Sequence, residues 1–150
     1  MSLDSILTTI RTDVALKTTA RDDTTTFLAV AEAAHNKHAE DEPVSWPKEA
    51  QFLADMVQPP ASGDLITGGK QWMRAEIAVW LGQEEASAWR TEEKIASANV
   101  ARVISAVEQA SYAAGIRGVL RDGASPVTWE RDGGRIRITI PFIAEWSETY

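Results

Sequence analysis

Cysteine is absent from this chain of 150 residues, and histidine occurs only twice. Without thiols the protein can form no disulfide, use no cysteine nucleophile and offer no thiolate ligand to zinc. The chain also lacks an apolar run of about 18 residues, the length that a membrane-spanning helix needs. Its start, Met1-Ser2-Leu3-Asp4, lacks the basic residues and apolar stretch of a signal peptide. We therefore expect a soluble, intracellular protein without thiol chemistry.

Positive charge is also in short supply. Fifteen Lys and Arg stand against 22 Asp and Glu, which gives a net charge of −7. A surface of this sign repels phosphate backbones, so it disfavours nucleic-acid binding. The charge is unevenly placed, because residues 1–68 carry −6 and residues 69–150 carry only −1. The acidity therefore belongs to the N-terminal half.

The rest of the composition is that of an ordinary folded domain. Hydrophobic residues make up 44% of the chain and charged residues 25%, values typical of globular proteins. A mass of 16.4 kDa suits one compact domain. We expect a single domain over residues 1–150, with an acidic, mainly helical region at 1–68 and a strand, helix and strands core at 69–150.

The N-terminal half shows mostly helical patterns. Apolar residues spaced three and four apart, from Leu3 to Val14, predict a helix over about residues 4–17. Threonines 24–26 followed by the Ala-rich run 28–34 predict a second helix. Residues 48–57 after Pro47 favour a short third helix, and residues 59–63 predict a linker or turn.

The C-terminal half changes to the period of strands. Strict alternation predicts a strand from Trp72 to Leu81, and the spacing of apolar residues then predicts a long helix over about 87–110. Residues 116–121 form a shorter strand candidate. Two further runs, 127–131 and 135–146, are joined by Asp-Gly-Gly, which is typical of a tight hairpin.

These elements predict an α+β fold. We expect N-terminal helices followed by a mainly antiparallel sheet of about four strands, with the long helix packed on one face. In the last strand Ile136, Ile138, Ile140 and Phe142 point one way, whereas Arg135, Arg137, Thr139 and Pro141 point the other. Because Pro141 has no N–H, its strand should have a free side or a bulge at that residue.

Few residues offer catalytic or metal-binding chemistry. His35 and His38 lie three apart near several carboxylates, which permits a metal site, but a solvated helix end is the simpler interpretation. Gly68-Gly69-Lys70 is followed by Gln71 and not by Ser or Thr, so it predicts a turn and not a phosphate loop. We expect no catalytic residues, no metal and no cofactor, and hence no enzyme.

Six tryptophans are the least ordinary feature of the composition. Trp89 and Trp129 are candidates for the core, whereas Trp72 and Trp80 lie opposite the aliphatic row of their own strand. Aromatic residues interleaved with arginine are typical of the centre of a protein interface. The predicted subunit or partner interface comprises Trp72, Arg74, Glu76, Trp80, Arg135 and Arg137. The alternative is an indole-lined second core layer.

Three features together resemble a known family. The strand ends in an aliphatic–Trp pair at Val79-Trp80, an Ala- and Val-rich helix follows it, and the closing strand has the form Arg-Ile-x-Ile-x-Ile-x-Phe from Arg135 to Phe142. Over about residues 70–150 this pattern resembles the tail terminator proteins of long-tailed bacteriophages. The first seventy residues depart from it, because two predicted helices and a Pro-punctuated stretch replace the usual helix and strand.

The resemblance implies a structural protein of a virion tail or neck, present in the host cytoplasm during assembly. It implies a ring, by similarity a hexamer, that stops tube polymerisation and joins the tail to the head. Its partners would be the tail tube protein and a head–tail connector or stopper, and DNA would pass without specific binding. A ring needs two different patches per subunit, and the long helix with Arg90, Lys94 and Arg102 is a candidate for the second.

A function from another class stays open on the sequence alone. A small-ligand or protein-binding module of the bacterial cytoplasm would use the tryptophans to line a pocket. Indoles suit both purposes, because each has a large apolar body and one polar N–H. The two hypotheses differ in where they expect the tryptophans, on an open sheet face or around a cavity.

Overall fold

The computed structural model describes residues 2–17, 28–29, 51–57, 60–66, 69–84, 89–132 and 135–149. These residues form two helices and seven strands of one sheet. The helices are α1 (Ser2–Lys17) and α2 (Trp89–Glu108). The strands are β1 (Leu28–Ala29), β2 (Gln51–Met56), β3 (Ala61–Ile66), β4 (Lys70–Glu84), β5 (Ile116–Arg121), β6 (Thr128–Asp132) and β7 (Arg135–Thr149). Neither described helix is long and apolar enough to cross a membrane.

Two strands of 15 residues, β4 and β7, form the centre of the sheet. They are antiparallel and in unbroken register from Lys70 opposite Thr149 to Glu84 opposite Arg135. Alternate residues of each strand are buried, as the alternation in the sequence predicts. The buried rows are Ala75, Ile77, Val79 and Leu81 in β4, and Ile136, Ile138, Ile140, Phe142, Ala144 and Trp146 in β7.

Short strands flank this pair, two on each side. Along the edge of β4 that faces away from β7, β2 pairs with one half of the strand and β3 with the other half. Along the edge of β7 that faces away from β4, β6 pairs with residues 135–139 and β5 with residues 142–146. These pairs are antiparallel, whereas β1 joins the free side of β2 in parallel. Each long strand therefore has a different neighbour at each end.

Pro141 lies where β7 has no strand on one side. It faces Ala78 of β4 on the other side, and its carbonyl accepts a hydrogen bond from the N–H of Asp122 at 3.0 Å. In an antiparallel strand the N–H and C=O of one residue point to the same side. The missing N–H of Pro141 therefore points into the gap between β5 and β6, which confirms the free side expected from the sequence.

One buried cluster joins the helices to the sheet. Leu3, Ile6, Leu7 and Ile10 of α1 and Ala96, Val103 and Val107 of α2 lie in it together with the buried rows of β4 and β7. The spacing of three and four in each helix explains why these residues share one helical face. A side chain also ties α1 to β2, since Arg11 Nη2 donates to the Ala54 carbonyl at 2.8 Å.

The structure corrects the predicted N-terminal half. Within the predicted helix over 48–57, residues 51–56 form strand β2, within the predicted linker at 59–63, residues 61–63 belong to strand β3, and Leu28–Ala29 within the predicted second helix is strand β1. The remaining residues of that second helix lie outside the described residues. The sheet consequently has seven described strands and not about four.

The error has a physical cause. Residues 51–56 are too few for the local pattern to distinguish a short helix from a strand, and in the structure Ala54 is buried and paired with Val79 of β4. For so short a segment the pairing with β4 decides the conformation, and pairing is not visible in local propensity. The two longer predictions, 4–17 and 87–110, correspond to α1 and α2.

Candidate interaction surface

The side of the β4–β7 pair opposite the buried rows carries most of the predicted interface, and we call it the outer face. It is formed by Trp72, Arg74, Glu76, Ala78 and Trp80 of β4 and by Arg137, Thr139, Pro141, Ile143, Glu145 and Ser147 of β7. The two tryptophans are half-buried, whereas Arg74 and Glu76 are exposed. A mixed aromatic and charged surface of this kind contrasts with the aliphatic row on the other side of the same strands.

The predicted interface residues divide into two ends of this face. Trp80 lies eight positions after Trp72, which corresponds to about 27 Å along a strand. Arg74 lies near Trp72, opposite Glu145, whereas Arg137 lies opposite Gly82 near Trp80. Arg135 lies opposite Glu84, where the strand pair ends. The structure thus places these residues on one face without bringing the two indoles together.

The end that contains Trp72 holds a cluster that the sequence analysis did not find. The guanidinium carbon of Arg117 lies 5.2 Å from the centre of the Trp72 ring. Arg117 Nη1 is 3.5 Å from Glu145 Oε2, and Arg74 Nε is 3.9 Å from Glu145 Oε1. We call Trp72, Arg74, Arg117 and Glu145 the arginine cluster.

A bulge in β5 accounts for the position of Arg117. The pairing of β5 with β7 shifts by one residue between Ile116, opposite Trp146, and Gly118, opposite Glu145. The extra residue of a bulge is left out of the ladder and its side chain is re-aimed. The sequence shows a strand candidate at 116–121, and Gly118 inside it is a signal for the bulge that turns Arg117 toward Trp72, which the prediction of a regular strand did not use.

A groove of about 410 Å³ adjoins the arginine cluster. Its lining includes Arg74, Arg117 and Glu145 together with the apolar side chains of Leu120 and Ile143. Leu120 is 62% exposed, which is unusual for a large aliphatic residue in a strand. No tryptophan lines this groove, so it does not match the indole-lined pocket of the alternative hypothesis.

At the other end of the outer face, a neighbouring carboxylate neutralises the charge of Arg137. Arg137 Nη2 lies 2.8 Å from both carboxylate oxygens of Glu130 in β6. The Arg137 side chain is only 14% exposed. A guanidinium held in this way by a carboxylate has little capacity left for a partner. Trp80 is therefore the main candidate contact at this end.

Of the four remaining tryptophans, the structure describes the side chains of two, and the predicted core position of Trp89 lies outside the described side chains. Trp146 is 1% exposed, and its Nε1 donates to Glu148 Oε1 at 3.0 Å. Trp129, a candidate for the core, is instead 38% exposed, with the Arg131 guanidinium carbon 6.0 Å from its ring centre. It lies opposite Ile138 in a five-residue strand at the border of the sheet, so no further strand covers it.

Two further candidate sites of the sequence were the histidine pair and the Gly-Gly-Lys segment. His35 and His38 lie outside the described residues, and within the described ranges no three acidic or histidine side chains group as metal ligands. Gly69 forms a turn with a φ of 73° and Lys70 begins β4. A strand and not a helix follows these residues, so the predicted turn is confirmed.

Comparison with known proteins gives a likeness of structure but no family. No protein-family model matches the chain, and no curated protein matches it. A chain described as "Virion of native gene transfer agent (GTA) particle" has a TM-score of 0.47 and 18% sequence identity, and the match covers 97% of this chain and 93% of that one. A likeness of this degree carries no argument about function, so a function has to be argued from the surface of this chain.

Proposed function

We propose that the protein is a single-domain, non-enzymatic structural component of a phage or prophage virion, and that it assembles into a ring in the manner of a tail terminator. The outer face is the observation that carries this proposal. It presents the half-buried indoles of Trp72 and Trp80 and the exposed Arg74 on the central strand pair, with the exposed Arg117 of β5 beside them, and Trp and Arg are among the residue types that dominate binding energy at protein interfaces.

The two sides of the sheet have separate tasks in this proposal. Side chains of both described helices lie in the buried cluster with the buried rows of β4 and β7, and among the described residues neither helix contributes to the outer face. A ring requires that this face meet a different patch on the next copy. The exposed side of α2, which carries Arg102, is the candidate for that second patch.

The ring would sit at the head-proximal end of the tail tube. There it would stop addition of tube subunits and present a surface to a head–tail connector or stopper protein. The proposal draws on the resemblance of residues 70–150 to tail terminators and on a net charge of −7 per subunit. A ring of acidic subunits repels the DNA that passes through it, which favours free passage over binding.

Self-association tests the ring directly. We expect size-exclusion chromatography with light scattering to show a multiple of the 16.4 kDa subunit mass, six subunits by the resemblance. Trp72→Ala and Trp80→Ala should each raise the dissociation constant about 30-fold, since truncating an interface anchor costs about 2 kcal/mol. Trp129→Ala is the matched control, because this exposed indole lies on the other side of the sheet.

Thermal unfolding followed by circular dichroism separates loss of contact from loss of fold. Trp72→Ala and Trp80→Ala should melt as the Trp129→Ala control does. A strict monomer at every concentration, or unfolding of both outer-face variants, contradicts the proposal. A second assay addresses the terminator role, because the wild-type protein added to polymerising tail tube protein should shorten the tubes seen by electron microscopy.

A further inference from the structure

We propose that the arginine cluster and its groove receive a carboxylate from a neighbouring copy of this chain. This inference rests on the ring proposed above and names the contact at one end of the outer face. It concerns Arg117, Leu120, Ile143 and Glu145, which extend the predicted interface, and Arg74, which belongs to it.

The two arginines are under-neutralised. Arg74 and Arg117 approach the same carboxylate, that of Glu145, and their side chains are 58% and 61% exposed. Their distances of 3.9 and 3.5 Å from its oxygens exceed those of a hydrogen bond. Two guanidinium groups with one shared carboxylate leave an excess positive charge and most of their N–H donors directed to solvent.

The cluster is also held in place before any partner arrives. The guanidinium carbon of Arg117 lies over the Trp72 ring, 5.2 Å from its centre, and this cation–π contact favours that position while 61% of the side chain stays exposed. Arg74 and Glu145 lie directly opposite each other on the two longest strands of the sheet. A planar fork on a rigid support binds a carboxylate with little loss of side-chain entropy.

The groove selects a peptide over a nucleic acid. Leu120 and Ile143 line it beside the arginines, so a ligand with an acidic group next to an apolar group fits both parts. Glu145 and Asp122 line the same groove. These carboxylates repel a phosphate backbone, which brings a negative charge at every nucleotide, more strongly than they repel one side-chain carboxylate.

A second copy of the chain supplies that chemistry. Residues 1–68 carry a net charge of −6, whereas the half that contains the groove carries −1. Copies arranged head to tail place unlike surfaces together, so the acidic half of one subunit can face the arginines of the next. Charge complementarity of this kind also sets the register of an interface.

Removing the Glu145 charge tests this assignment in a direction that a purely structural cluster would not follow. Glu145→Gln should lower the dissociation constant of the assembly about three- to tenfold, because both arginines then pair with the incoming carboxylate. The double variant Arg74→Gln, Arg117→Gln should raise it at least tenfold and flatten its dependence on salt between 50 and 300 mM NaCl. Sedimentation equilibrium measures all three constants.

Arg131→Gln is the matched control, since Arg131 is an exposed arginine of β6 away from the groove. It should leave association unchanged, and melting curves should be alike for all variants. The inference is overturned, while the ring stands, if Glu145→Gln weakens the assembly or if the double variant leaves it intact. If the double variant keeps the ring but loses tube shortening, the groove belongs to the tube protein. A wild-type chain that stays monomeric overturns the proposed function as well.

Discussion

Tyr112 shows how one side chain connects the end of α2 to the core. Its hydroxyl donates to the Val107 carbonyl at 2.5 Å, and the ring packs against the buried cluster. Burial, and secondarily the negative charge of Asp13, raises the pKa of this phenol well above its ordinary value of 10.0. The folded protein therefore favours the neutral form of Tyr112 strongly.

The raised pKa of Tyr112 predicts sensitivity to alkali. In the unfolded chain the phenol ionises near pH 10, but in the folded chain it stays protonated to higher pH. The stabilisation is complete below pH 10 and is lost as the pH rises beyond it. Urea unfolding from pH 8 to 11 should show this loss.

Tyr112→Phe is the control for that measurement. It should cost about 1 kcal/mol at pH 8, the value of one hydrogen bond, and should remove part of the decline above pH 10. An identical decline in the wild type and the variant would assign the alkaline sensitivity to other groups. Far-UV circular dichroism of the variant checks that the fold is kept.

Individual residues were predictable where they continue a long pattern. The alternation from Ile136 onward reaches Trp146, so its burial follows from the same count that places Phe142 in the core. Arg117 was missed, because its position depends on a bulge in β5 that a single residue, Gly118, signals in the sequence. Of the arginine cluster, Trp72 and Arg74 were therefore among the predicted interface residues, whereas Arg117 was missed.

At the scale of elements, the two strands beside β7, β5 and β6, leave a gap between them that constrains where β7 can hold a proline. The residue before it, Ile140, pairs with Val79 of β4 and is fully buried, whereas Pro141 has its backbone directed into the gap between β5 and β6. A proline is tolerated in a central strand only at such a gap. Positions 140 and 141 thus differ sharply in their tolerance of proline although they are adjacent.

Moving the proline by one residue tests this account. Ile140→Pro should lower the free energy of unfolding by about 3 kcal/mol or more, since it removes a ladder hydrogen bond and a buried side chain. Pro141→Ala is the control and should change it by less than about 1 kcal/mol. Chemical denaturation measures both, and equal effects would show that the gap does not matter.

Elements were predictable in proportion to their length. The 15-residue strands and both helices repeat their period often enough to be recognised. Strands β2 and β3 have six residues each, and β3 begins directly after Pro60. In such segments the conformation is decided by which half of β4 is available for pairing, a tertiary effect that local sequence does not contain.

For the whole molecule, the sign of the charge predicts behaviour toward DNA. The net charge of −7 outweighs the arginine cluster, in which Glu145 already offsets part of the positive charge. Fluorescence anisotropy of a labelled 30-base-pair duplex should therefore not rise with added protein at 100 mM salt. A rise that decreases steeply with salt concentration would contradict this prediction and reopen a role in DNA contact.

The edges of the sheet carry a consequence for how copies of this protein can join. The border strands have two to six residues, against 15 in the centre, so no described edge runs the length of the sheet. On β5 one outward N–H, that of Arg121, is already taken by the Glu108 carboxylate at 3.0 Å. Interrupted and capped edges oppose strand-by-strand growth into fibres. In the proposed ring, these edges favour contacts through side chains, whose shape and charge can limit an assembly to a closed number.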